Sequence, residues 1–167
     1  MYNSADYPTY DLDPVEAERR GAILYIFSGP WSLLDNFAPT PVRYNDWHCT
    51  TSEHAFAASK AQLPSVAKAI LACATPGEAK AMGRRVKLRP DWEEVKFSVM
   101  WEILCAKFAQ NPTALGALMD TRGRDIVEGN TWDDRVWGMT LDNRGRLVGQ
   151  NALGRQLVQL RKRVIGC

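Results

Sequence analysis

Thr50-Thr51-Ser52-Glu53-His54-Ala55-Phe56-Ala57-Ala58-Ser59-Lys60 is the stretch on which the reading of this chain turns. Its small residues, with Ala61 after them, predict a short helix that neighbouring elements approach closely, and Phe56 supplies the one large anchor. Glu53, His54 and Lys60 are set into this apolar segment. A carboxyl at the mouth of such a helix is a candidate acid or base, because burial penalises its charged form. The same residues have a plain structural explanation. Thr50 and Glu53 have the S/T-x-x-E spacing of a capping box, in which Glu53 would only satisfy a free backbone N–H. On this segment alone the cap is the favoured reading.

Working outward, Ala22 to Phe27 is a short apolar run that reads as a buried strand, broken by Ser28-Gly29-Pro30. Val42 to Trp47 alternates with period two and is expected to pair with that strand. From Thr50 the pattern is helical. Thr75-Pro76-Gly77-Glu78 is a helix start, with Thr as cap, Pro at the first position and Glu at the third. Arg84, Arg85, Lys87 and Arg89 follow as a basic cluster, read either as solvated surface or as a phosphate contact. Pro90-Asp91 opens the longest helix, to about Ala109, with Trp92, Val95, Val99 and Ile103 along its apolar face. Thr121 to Gly149, with five glycines, Trp132 and Trp137, reads as a loop region where binding groups gather. In it Asp134-Arg135 is first read as an Asp–Arg tie. A last helix carries Leu153, Leu157, Leu160 and Val164 on one face.

The whole chain narrows the function class. At 167 residues it is expected to be one domain, residues 22–167, after a partly ordered tail of residues 1–21. A net charge of +2 does not mark a nucleic-acid binder. Four scattered cysteines without a C-x-x-C pair argue against a zinc site or a disulfide scaffold. No segment has the length and apolarity of a membrane span, so a cytoplasmic protein is expected. Glu53-His54 lacks the second histidine of a zinc-protease helix, and neither a metal nor a cofactor is expected.

Several blocks in order carry a family resemblance. They are Ser52-Glu53-His54-x-Phe56-x-x-x-Lys60, Gly83-Arg84-x-Val86, Asp91-Trp92-x-x-x-Lys96-x-x-x-Met100 and Lys107-Phe108-x-Gln110-Asn111, then Glu128, Asp134-x-x-Trp137-Gly138 and Gly149-x-Asn151-x-Leu153-Gly154. Together, from about Phe27 to Arg161, they resemble the NADAR (YbiA-like) family of N-glycosidases. The chain departs from the family in having Leu34-Asp35-Asn36-Phe37 where Leu-Ser-Asn-Phe is common, and in having Ala57 and Ala58. The resemblance implies a compact, mainly α single domain with a few short β-strands. It also implies hydrolysis of a bond between ribose C1 and a base or amine nitrogen. The substrate would be a nucleotide-sugar or ribosyl phosphate. Examples are a ribosylamino-pyrimidine phosphate of riboflavin synthesis, or ADP-ribose on guanine, free or in nucleic acid. By the same resemblance Glu53, Asp134 and Trp92 are the catalytic positions, and Asn36, Phe37, Lys60, Arg84, Trp137, Gly138 and Asn151 contact substrate. A monomer is the expected state. Two readings stand beside this one: a module that binds ADP-ribose or a nucleotide without cleaving it, and a purely structural role for Glu53 and Asp134.

Overall fold

The computed structural model describes residues 2–26 and 29–166. Its contacts divide the chain into two units, one of residues 2–3 with Asp35–Leu115 and one of Ser4–Leu34 with Gly116–Cys167.

The first unit is built around the alanine-rich helix. Numbering strands and helices separately in chain order, its elements are the strands β3 (Val42–Tyr44) and β4 (Trp47–Cys49) and the helices α2 (Ser52–Ser59), α3 (Pro64–Leu71), α4 (Pro76–Gly83) and α5 (Trp92–Gln110). All eight residues of α2 are buried, and α3, α4 and α5 all pack on it. Small side chains make this possible. A Cβ on Gly83 would lie 2.9 Å from the Ala57 Cβ, closer than real atoms approach, so α4 sits against α2 only because both surfaces are nearly bare. Ala57, Ala58, Ala67, Ile70 and Ala79 form the resulting cluster.

The helix starts follow local chemistry. The Thr75 side chain caps α4 by accepting the Glu78 N–H at 3.2 Å, as the sequence predicts, and Glu78 accepts the N–H of Ala74, one residue before the cap, at 2.9 Å. At α2 the cap falls one residue later than expected. Thr51, not Thr50, is the N-cap, and its hydroxyl accepts the His54 N–H. Glu53 is therefore the second residue of the helix and takes no part in a capping box. The strand Val42–Trp47 is also revised. Val42–Tyr44 pairs antiparallel with Trp47–Cys49 across an Asn45-Asp46 turn, both turn residues having positive φ. The partner of the apolar run at 22–27 lies elsewhere.

The second unit contains β1 (Tyr10–Leu12), α1 (Pro14–Arg19), β2 (Ile23–Leu24), β5 (Ile126–Val127), β6 (Gly129–Asn130), β7 (Met139–Leu141), β8 (Leu147–Gly149) and α7 (Ala152–Ile165). The helix α6 (Pro112–Asp120) carries the chain into it. Residues 121–149 are thus not a loop. They supply three strands of a four-stranded sheet ordered β1-β8-β7-β6, while β2 pairs parallel with β5. The run at 22–27 gives only a two-residue strand, and Phe27 lies outside the described residues. Val127, Met139 and Leu147 form the core beneath, with Tyr10, Leu12 and Leu24 packed on it. Gly138 is where two backbones meet: a Cβ there would lie 2.1 Å from the Glu128 carbonyl oxygen. The protein is helix-dominated but not purely α, since eight short strands form three small sheets among the described residues.

Candidate active site

Glu53 sits at the start of α2 and is 6% exposed. Its backbone N–H donates to the Asn36 carbonyl at 3.0 Å. No hydrogen bond reaches its carboxyl group among the described residues. Burial raises that carboxyl to about 7, with Lys80, Lys60 and Arg84 pulling it down and Asp35 pushing it further up. The charges do not offset the loss of water, so the group exchanges its proton near neutrality.

Lys60, Lys80 and Arg84 act on it, and two of these cations lie over aromatic rings. Trp92, the first residue of α5, is buried and meets the Phe56 ring at 5.2 Å with a 56° tilt. The Lys60 ammonium lies 4.9 Å from the Phe56 ring centre and 5.9 Å from that of Trp92. Lys80, from α4, lies 5.2 Å from the Phe37 ring centre. The turn that carries Asn36 and Phe37 is held by α5: the fully buried Lys107 donates to the Asp35 carbonyl at 2.7 Å, and the Asn36 amide to the Met100 sulfur at 3.5 Å. Asn36 Oδ1 and Ser52 Oγ are buried without a hydrogen-bond partner among the described residues.

Of the residues that the sequence singles out, Glu53, Trp92, Asn36, Phe37, Lys60 and Arg84 all belong to this unit. The basic cluster is divided. Arg84 acts on Glu53, whereas Arg89 is spent on Asp91 through contacts of 2.6 and 2.8 Å. Sequence reasoning missed Lys80, and it named Asp35 and Lys107 only as a departure from the family motif and as a motif residue. Lys80 was within reach of it, standing one turn before Arg84 on a helix whose start is well marked.

Asp134, Trp137, Gly138 and Asn151 belong to the second unit, and there they shape backbone. Asp134 Oδ1 accepts the N–H groups of Val136 at 3.1 Å and Trp137 at 2.9 Å. The expected Asp–Arg tie is made by the preceding residue, with Asp133 accepting from Arg135 at 2.7 Å. Asn151 holds a left-handed conformation, donates to the Ile126 carbonyl and the Tyr10 hydroxyl, and accepts the Glu128 N–H. A groove of about 820 Å³ in this unit, bordered by Tyr10, Asp11, Arg146, Asn151, Arg155 and Lys162 among others, includes only Asn151 of the predicted positions. Among the described residues no three His, Cys, Asp or Glu side chains gather to hold a metal ion, and no helix is long and apolar enough to cross a membrane.

A buried carboxyl with a near-neutral proton, beside aromatic rings and three cations, has the features of an acid–base site for an anionic, planar substrate. Comparison with known proteins gives the family. The family model for the NADAR domain matches residues 23–165. N-glycosidase YbiA of Escherichia coli (strain K12) is 34% identical over 160 residues, covering 90% of this chain and 97% of the relative. The solved structure of the E. coli protein YbiA aligns with a TM-score of 0.71 at 32% identity, covering 91% of this chain and 93% of that one. The chloroplastic riboflavin biosynthesis protein PYRR of Zea mays is 31% identical over 160 residues, covering 84% of this chain but 25% of that longer protein. The chain belongs to the NADAR family, and N-glycosidase is the enzyme class it shares with its curated relatives.

Proposed function

We propose that this chain hydrolyses the bond between C1 of a phosphorylated ribose and a base or amine nitrogen, with Glu53 as proton donor. The observation that carries the reading is the Glu53 carboxyl itself, 6% exposed and without a hydrogen bond among the described residues, a burial that raises it to about 7. In this scheme the protonated carboxyl gives its proton to the departing nitrogen as the C1–N bond breaks and the bond pair leaves with the base. The carboxylate left behind faces a sugar that has become cation-like and stabilises it. Water then adds to C1, and its proton returns to Glu53, restoring the starting state. Acid–base help of this kind is typically worth roughly 10²–10⁴-fold. Trp92 and Phe56 support a planar base and exclude water, and Lys60, Lys80 and Arg84 suit phosphate. The two buried oxygens of Asn36 and Ser52 suit ribose hydroxyls.

On the family resemblance Asp134 is retained as the second carboxylate and Trp137 as a substrate contact, while Gly138 and Asn151 hold the backbone around them. Of the two substrates that the family resemblance implies, the ribosylamino-pyrimidine phosphate is supported by the riboflavin biosynthesis in the maize relative's name, and ADP-ribosyl guanine is the other. We place the enzyme in the cytoplasm as a monomer. The test is to incubate wild type and Glu53→Gln with the pyrimidine phosphate, ADP-ribosyl-guanosine and ADP-ribosylated DNA, and to quantify the released sugar. Release by wild type alone supports the proposal. No release from any of the three, by a protein that still binds ADP-ribose, favours a binding module.

A further inference from the structure

His54, beside Glu53 on α2, is fully buried, and the reaction scheme leaves its ring unused. Both ring nitrogens are engaged. Nδ1 lies 2.9 Å from the Thr51 hydroxyl, and Nε2 lies 3.2 Å from the Cys73 carbonyl. The proton positions follow from these partners. A carbonyl oxygen only accepts, so Nε2 carries a proton and donates it to Cys73. The Thr51 hydroxyl already accepts the His54 backbone N–H, and Thr51 is 3% exposed. Among the described residues the hydroxyl proton has no acceptor other than Nδ1, and a buried hydroxyl without an acceptor is costly. Nδ1 is therefore bare. The two contacts assign the same form, a ring protonated on Nε2 alone.

Cys73 is a well-held anchor. It lies in the link between α3 and α4, where the Ala72 N–H donates to the Lys68 carbonyl, the Cys73 N–H to the Ile70 carbonyl and the Ala74 N–H to the Glu78 carboxylate. The His54 ring thus ties the first turn of α2 to a link that is itself fastened at both ends. Glu53 depends on that turn. No hydrogen bond reaches its carboxyl group among the described residues, so its place follows from the backbone that carries it. That backbone is held by the bond from the Glu53 N–H to the Asn36 carbonyl and by the turn that Thr51 and His54 close. We propose that His54, kept as the Nε2–H tautomer between the Thr51 hydroxyl and the Cys73 carbonyl, is a positioning residue that sets the place of the Glu53 carboxyl. This rests on the reading of Glu53 as the proton donor.

The first test needs no variant. Long-range proton–nitrogen correlation NMR on the wild-type protein at neutral pH reads which ring nitrogen of each histidine carries the proton. The chain has two histidines, and His48, exposed in β4, gives the reference signal. His54 is expected to show a proton on Nε2 and a bare Nδ1. A proton on Nδ1, there alone or on both nitrogens, would overturn the inference. The second test separates the tie from the cap, in His54→Gln and His54→Asn assayed well below their melting temperatures. The glutamine amide reaches the place of Nε2 and can donate to Cys73, whereas the asparagine amide reaches only the place of Nδ1, beside Thr51. His54→Gln should keep most of the wild-type kcat. His54→Asn should lose up to roughly 10²-fold in kcat, as a misplaced catalytic group does, with KM nearly unchanged. A wild-type kcat in His54→Asn, or equal losses in both variants, would overturn the positioning role. Full activity in Glu53→Gln would remove the reading of Glu53 and the positioning role with it, whereas a proton on Nδ1 would overturn the inference and leave that reading standing.

Discussion

Glu53 and Asp134 stand out equally in the sequence, each an acid beside aromatic residues with a structural explanation at hand. The structure treats them differently. Asp134 is half-buried and spends an oxygen on the N–H groups of Val136 and Trp137, the ordinary work of a turn aspartate. Glu53 is 6% exposed with nothing donated to its carboxyl among the described residues, and with Thr51 as the N-cap it falls outside a capping box. A carboxylate that receives hydrogen bonds is already stabilised as an anion, whereas one without donors is costly to ionise. The second arrangement is the one that reserves a proton for chemistry.

The largest effect that would sharpen this contrast is on turnover. Glu53→Gln is expected to lower kcat/KM by roughly 10²–10⁴-fold with the fold intact. A loss of less than tenfold in a steady-state assay would put Glu53 on the same footing as any structural acid.

Next is the pH dependence of stability. The folded Glu53 carboxyl titrates near 7, above its ordinary 4.5. From pH 4.5 to 7 the unfolded chain gives up this proton while the folded chain keeps it, so stability contributed by Glu53 falls as pH rises and levels off above 7. The whole effect is about 3 kcal/mol. Relative to wild type, Glu53→Gln should therefore gain stability between pH 4.5 and pH 8 in denaturant titrations. A constant difference across that range would contradict the burial argument.

Asp134 should behave in the opposite way. Asp134→Ala leaves two backbone N–H groups without their acceptor and should cost about 1–3 kcal/mol, while Asp134→Asn, which keeps an acceptor oxygen, should melt close to wild type. If Asp134→Asn nonetheless loses activity at unchanged stability, Asp134 also serves the reaction, as the family resemblance implies.

The smallest effect concerns the cap. Thr51→Ala should destabilise by about 1 kcal/mol, and Thr50→Ala by much less. The reverse order would restore Glu53 to a capping box.

Local chemistry was legible where it is dense. The start at Thr75-Pro76 and the long helix from Asp91 carry their signals within a few residues, and the structure places both as expected. The last helix also agrees, although Val164 in its final turn is exposed. The four-stranded sheet was not legible. Its strands are two or three residues long, too short for alternation to register, and β1 finds its partner at residues 147–149, far along the chain. The shifted cap has a similar cause. Thr50 and Thr51 are both competent caps, and the bond from the Glu53 N–H to the distant Asn36 carbonyl that accompanies the Thr51 cap is not visible in the local sequence. Within the candidate site, the motifs single out Glu53, Trp92 and Lys60, and the structure places all three in one unit. Asp35 and Lys107 stand in the quoted motifs, but that Lys107 is buried and donates to the Asp35 carbonyl is displayed by no spacing in the sequence.

The most direct test of the central claim is the pH profile of kcat/KM for wild type and Glu53→Gln, on whichever of the three substrates wild type cleaves. The account predicts a wild-type rate that declines as pH rises through about 7, as the Glu53 proton is lost, and a glutamine variant that is nearly inactive throughout. A glutamine variant that keeps the wild-type rate and profile would contradict it.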